Sequence, residues 1–362
     1  MIGQRLKLAR AGAGLSLRDL EVKIDNQVSA QAISKYERDE MMPSSAVLMA
    51  LASALGVSED YLLGDPQMQL EGVEFRTKAT LSSREKAQIE AKVLDRVEKY
   101  LAVEELLGLS VEWDKPRGSP YPVQDAAEAD RAAHFLRDAW GLGLDPIPKF
   151  AELLEEKGIK VLSIDAEKFD GLTARVQREN QTSLPVIVIG SKNWAERKRF
   201  SFAHELGHML MDVESGVDSE KAANRFASAF LMPTETLWRE VGKHRTSISL
   251  GELLQLKQRF GASFQAITYR CGDLGIISRK VFKDLFDLFE ANGWRDAPFQ
   301  EPGAIKSDEE EPQRFERLCY RAVSEGAISE AKASELLGIS VHELNARLDE
   351  PKVIQDQEAS NA

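Results

Sequence analysis

The stretch His204-Glu205-Leu206-Gly207-His208 limits what this chain can fold into more than any other. Positions i and i+4 share one face of an α-helix, so a helix turns both imidazoles toward a common point. The chain has only 5 histidines in 362 residues, so the pairing does not come from a histidine-rich composition. Around it, Phe200, Phe202, Ala203, Leu206, Leu210 and Met211 form an apolar set wide enough for a buried helix spanning roughly 194–212. Such a helix offers two nitrogen ligands to one metal ion. Glu205, one residue along, can reach a water held on that ion.

Histidines at this spacing with an interposed glutamate match the H-E-x-x-H arrangement of zinc hydrolases. A catalytic zinc usually takes three protein ligands and leaves one position for water, so a third ligand must come from elsewhere. A turn at Glu214-Ser215-Gly216 precedes a second helical pattern that starts near Ser219 and stops at Pro233. Glu220 lies in its first turn and Asn224 one turn later on the same face. There the carboxylate suits both a metal and the positive end of the helix. Asn224 can accept the hydrogen of a ligand histidine's other nitrogen and fix its tautomer. Asp212, Glu214 and Asp218 are the competing third ligands.

The linked set His204-Glu-Leu-Gly-His208, Glu220-Lys-Ala-Ala-Asn224-Arg-Phe226-Ala227 and Leu231-Met232-Pro233, with Arg197-Lys-Arg-Phe200 ahead of it, resembles the ImmA/IrrE-type metallopeptidases over roughly residues 125–280. The resemblance implies a zincin-like core with His204, His208 and Glu220 on one zinc ion. It also implies Glu205 as general base, Asn224 as the polar residue behind the ligands, and cleavage of a repressor rather than bulk proteolysis.

Residues 1–63 read as five short helices. Leu15-Ser16-Leu17-Arg18-Asp19-Leu20, Ile33-Ser34-Lys35-Tyr36-Glu37, Pro43 and Leu55-Gly56-Val57-Ser58 are similar to the XRE (lambda-repressor-like) helix-turn-helix domains. In such domains the second helix of the motif enters the major groove by its N-terminal end. That implies Ser29, Ala30, Gln31, Ser34 and Lys35 at the groove. Gln31 suits an adenine edge, and Lys35 and Arg38 suit phosphate or guanine. Residues 1–38 carry seven Lys/Arg against four Asp/Glu, a modest local excess that fits a weak monomeric reader. The acidic Asp39-Glu40 pair keeps open a helical interaction domain that has lost DNA binding.

The expected fold class is α+β and predominantly helical. The expected units are the helix-turn-helix domain (1–65), a linker with a long amphipathic helix (66–120), a zincin-like domain with a small β-sheet (121–300) and a C-terminal helical unit resembling a degenerate helix-turn-helix (314–350). The long helix, capped at Ser82 and striped by Ile89, Val93, Val97, Tyr100 and Leu101, suits either a dimer coil or packing on the peptidase core. The lack of a strict heptad favours packing. Strands are expected at Lys160–Ile164, Gly171–Val176 and Pro185–Ile189. Gly303 to Gln313 reads as an acidic linker, and the polar residues after Lys352 as disordered. His134 reads as structural, and His244 as a candidate oxyanion donor.

A net charge of −12 argues against broad polyanion binding by the whole molecule. No apolar run approaches 18 residues, so no membrane contact is expected. The two cysteines, Cys271 and Cys319, are isolated, and the cytosol is the expected compartment. The expected partners are operator DNA, a protein that is a repressor substrate or a toxin, and a second copy in a homodimer. The function expected is a DNA-binding transcriptional regulator with a zinc metallopeptidase domain that cleaves or senses a partner regulator. The alternative is a non-proteolytic antitoxin or repressor using the zinc domain for binding.

Overall fold

The computed structural model describes residues 2–63, 68–77, 81–109, 112–166, 169–178, 182–295, 301–305 and 310–349. The polar segment after Lys352 lies outside them. The first unit has helices α1 (Gly3–Gly12), α2 (Leu17–Lys23), α3 (Ala30–Glu37), α4 (Ser45–Leu55) and α5 (Glu59–Leu63). Serines start the middle three. Ser16 and Asp19 form a reciprocal capping box, Ser29 accepts from the Ala32 amide at 3.2 Å, and Ser44 caps α4. Leu6, Leu20, Ile24, Ile33, Leu51 and Leu62 close one small core between them.

Strand β1 (Met68–Thr77) follows, then α6 (Ser83–Leu106). A Ser82–Glu85 capping box opens α6. Its buried stripe serves two cores. Ile89, Val93 and Val97 pack on the β-sheet, and Tyr100 and Val103 pack on the C-terminal helices. A third side meets the first unit, where Arg5 of α1 pairs with Glu98, and Arg84 reaches the Gly14 carbonyl and Asp19 of α2. The helix is therefore packed along its length on this chain, in keeping with its lack of a strict heptad.

The sheet contains β3 (Lys160–Ile164), β4 (Phe169–Arg178) and β5 (Leu184–Gly190), in the order β1-β4-β5-β3. β3 runs parallel to β5, while β4 is antiparallel to both β5 and β1. All seven residues of β5 are buried, the mark of a strand covered on both faces. β1 is the strand that the sequence conceals. Met68 and Leu70 alternate with polar residues, but Val73 and Phe75 continue out of phase. The ladder slips between Glu71 and Glu74, where Gly72 has φ +59°, so one extra residue restores all four apolar side chains to the sheet core.

Beneath the sheet lie β2 (Tyr121–Val123), α7 (Ala129–Ala139), α8 (Phe150–Glu156), α9 (Ala195–Leu210), β6 (Met211–Val213), α10 (Ser219–Leu231), α11 (Thr234–Val241), α12 (Leu250–Phe260), α13 (Phe264–Asp273) and α14 (Arg279–Ala291). β2 and β6 pair in parallel. Twelve of the sixteen residues of α9 are buried, which puts it at the centre of the domain. Phe150, Phe202, Phe226 and Phe230 fill the space around it, each burial stabilising by about 1.5–3 kcal/mol.

The C-terminal unit consists of α15 (Arg314–Ser324), α16 (Glu330–Leu337) and α17 (Val341–Asp349). The acidic stretch before it, expected as a linker over Gly303 to Gln313, is exposed at Gly303, Ala304 and Gln313 but pinned at Glu310. Glu301 and Glu310 are buried. Glu301 accepts from Lys257 at 3.1 Å and from the Phe264 amide at 2.9 Å, while Glu310 pairs with Arg199 and Glu311 with Lys198. At Glu310 and Glu311 the sequence misleads because a run of carboxylates reads as hydrated when its counter-ions lie more than a hundred residues away. Among the described residues no helix is long and apolar enough to cross a membrane.

Candidate metal centre

α9 and α10 lie against each other at the level of the two histidines. Gly207 permits this, since a Cβ there would sit 2.9 Å from Cδ1 of Phe226 on α10. His204 Nε2 and His208 Nε2 are 3.0 Å apart. Glu220 completes the group, with Oε1 at 3.1 Å from His208 Nε2 and Oε2 at 3.4 Å from His204 Nε2. On the other edge of the His204 ring, Nδ1 lies 2.9 Å from Asn224 Oδ1. A carbonyl oxygen only accepts, so Nδ1 carries the hydrogen and Nε2 keeps its lone pair. Imidazole lone pairs and a carboxylate converging on one point make a donor set that fits a cation. All three ligand atoms lie within 4.8 Å of one another, with His204 buried, His208 half-buried and Glu220 exposed.

Glu205 is 1% exposed and borders a cavity of about 340 Å³ together with His208 and Glu220. β4 makes room for its carboxyl group. A Cβ on Gly171 would lie 3.0 Å from both Glu205 Oε1 and the Val188 carbonyl oxygen. Sequence reasoning did not single out Gly171, and it also missed Glu74 and Phe75 of β1, which line the same cavity. The M-Q-L-E-G-V-E-F pattern held the signal, broken by the slip at Gly72. A larger cavity, about 820 Å³, opens between α9, α10 and α13 and is bordered by Trp194, Phe200, Asn224 and Tyr269. The smaller cavity is the one bordered by Glu205, His208 and Glu220. The larger one reaches the group from behind, at Asn224.

Of the four candidate third ligands, Glu220 alone is in this group among the described residues. Asp218 is used as the N-cap of α10, accepting from the Lys221 amide at 3.1 Å, and Asp212 and Glu214 are exposed. His134 is an exposed residue 3.5 Å from Asp138, and His244 is exposed and does not border the cavity. In the first unit, α2 and α3 form the helix pair, and Gln31 and Lys35 on α3 are exposed. Ser29 is the N-cap of α3, and Ala30 and Ser34 are half-buried on it. Arg38 is exposed but ion-paired with Glu40 at 2.7 Å, so phosphate would have to compete for it.

Residues 154–272 match the IrrE N-terminal-like domain, and residues 6–62 match the helix-turn-helix family. The chain joins a helix-turn-helix DNA-binding domain to an IrrE-type peptidase domain. A curated relative is the HTH-type transcriptional regulator ImmR of Bacillus subtilis (strain 168). It is 36% identical over 67 residues, covering 18% of this chain and 51% of that protein. The chain thus spans about half the length of the curated relative it matches.

Proposed function

We propose that this protein is a DNA-binding transcriptional regulator whose second domain is a zinc-dependent endopeptidase acting on a partner regulator. The observation that carries the reading is the convergence of Glu220 with His204 and His208 beside a buried Glu205. His204, His208 and Glu220 would hold one zinc ion, which when bound supplies Lewis acidity and lowers the pKa of its water. Glu205 takes the proton of the attacking water and delivers it to the leaving amine, a role worth about 10²–10⁴ in rate. Asn224 keeps the His204 lone pair turned toward the ligand group. Operator binding falls to the exposed face of α3, with Gln31 in its first turn and Lys35 in its last foremost.

The test incubates purified wild type and Glu205→Gln with the protein products encoded beside this gene, and reads fragments by mass spectrometry. Wild type should cut a DNA-binding partner at one site. Glu205→Gln should retain zinc and lose cleavage, while His204→Ala should lose zinc. Binding of a partner without cleavage by either form would replace the proteolytic reading with a partner-binding one.

A further inference from the structure

We propose that β1 occupies the peptide-docking edge of the peptidase sheet, and that an extended polypeptide substrate enters by taking its place on β4. The inference rests on the peptidase reading of the metal centre. It starts from position. β4 has one edge bonded to β5, and its other edge is covered by β1. Arg76 lies opposite Gly171, Phe75 opposite Leu172 and Glu74 opposite Thr173. Gly171 is the residue whose missing side chain is filled by the Glu205 carboxylate, so the strand paired there passes directly beside the general base. Glu74 and Phe75 border the cavity that holds Glu205, His208 and Glu220.

A peptide held by main-chain bonding to a sheet edge is an extended strand, with pockets selecting alternate side chains. On β4 such a strand would lie next to Glu205. On the outer edge of β1 it would be about 4.8 Å farther away, one strand spacing, which is more than a proton transfer through one water tolerates. The place beside the base is taken by this chain's own segment.

β1 is also built to leave. Met68 through Phe75 are all half-buried or exposed, whereas β4 is buried continuously from Phe169 to Ala174. The register slip at Gly72 interrupts its ladder next to the cavity. The strand belongs to neither matched domain, since it lies between residues 62 and 154. It is followed by α6, which holds α1 and α2 of the DNA-binding unit through Arg5–Glu98 and Arg84–Asp19. Displacing the helix-turn-helix unit therefore pulls on the segment that covers the peptidase edge.

The test uses a fluorescent synthetic peptide of residues 68–77 and reads binding by anisotropy, which needs no catalysis. Successive amides on a strand point to opposite sides, so Leu70→Pro with Glu71→Pro removes at least one ladder bond and leaves Glu74 and Phe75 intact. This variant should bind the peptide at least tenfold tighter than wild type. Gln69→Cys with Gln177→Cys, facing exposed positions, locks β1 to β4 when oxidised and should abolish binding, and the native cysteines are both buried. No binding to the proline variant, or equal binding to all three proteins, overturns the proposal. In wild type, where folding is not in question, the β1 amides should exchange hydrogen at least a hundredfold faster than those of β5, and equal protection overturns it as well. Loss of cleavage with peptide binding intact would instead refute the peptidase reading and leave the docking edge standing.

Discussion

Replacing Asn224 tests how the metal centre is held. Its Oδ1 accepts from His204 Nδ1 at 2.9 Å, and His204 is fully buried. Removing the acceptor leaves a buried N–H unpaired, at a cost of about 1–3 kcal/mol. It also frees the ring to adopt the tautomer that points a hydrogen at the ligand group. Loss of such a supporting partner lowers metal affinity by about 10–100-fold, or about 1.4–2.8 kcal/mol, so two independent magnitudes agree. The cavity of about 820 Å³ behind Asn224 refines the expectation. In Asn224→Ala a water from that cavity can reach Nδ1 and accept its hydrogen, limiting the loss. Asn224→Leu, of similar shape to asparagine, blocks that water and should show the full effect. Asn224→Asp restores a stronger acceptor. The expected order of zinc affinity is Asp equal to or above wild type, then Ala, then Leu about 10–100-fold weaker. Competition with a chromophoric chelator at neutral pH measures it, and thermal melts confirm that each variant is folded. A leucine variant that binds zinc within twofold of wild type, or an alanine variant weaker than leucine, would refute the reasoning.

Two further substitutions address residues on either side of the centre. Gly171→Ala should push the Glu205 carboxyl away and destabilise the fold by about 1–3 kcal/mol of overpacking, because its Cβ would lie 3.0 Å from both Glu205 Oε1 and the Val188 carbonyl. Hydrolysis should fall more than tenfold while zinc affinity holds, and unchanged turnover with a lowered melting temperature would separate Gly171 from the chemistry. Burial pushes the Glu155 carboxyl up to about 7, partly opposed by Arg317, Tyr100 and Arg314. Its folded pKa thus lies above its unfolded one. The folded state holds the proton more tightly, and stability from this group grows as pH falls from about 8 to about 5, by an amount on the order of 1–3 kcal/mol. Urea melts at the two pH values should show that gain in wild type and its loss in Glu155→Gln, and equal pH dependence in both proteins would contradict it.

Much of the centre is legible in the sequence because helical spacing is a local rule. His204 and His208 meet on one face of α9, and Glu220 and Asn224 lie one turn apart on α10, whatever the rest of the chain does. The order of helices in the first unit was equally readable, since Ser16, Ser29 and Ser44 each announce a helix start. What the sequence hides is set by distant partners. β1 escapes because one extra residue at Gly72 breaks the alternation that marks a strand. Gly171 looks like any strand glycine until Glu205 is brought against it. Lys198 and Arg199 look like surface charges ahead of the histidines, yet both are buried with glutamates from the far end of the domain.

Those glutamates impose an order of events on the growing chain. Lys198 and its partner Glu311 are 113 residues apart, as the helix that carries the histidines is finished long before its counter-ions exist. At roughly 5–20 residues per second, synthesis leaves on the order of ten seconds in which the back of α9 stands without Glu310 and Glu311. Breaking a buried pair by removing one partner costs about 3–5 kcal/mol, so Arg199 without Glu310 loosens the seat of the helix in the core. Firm seating of the metal centre is thereby coupled to the arrival of residues 310 and 311, and a chain cut short before them would carry the complete ligand set on a helix held less tightly in the core.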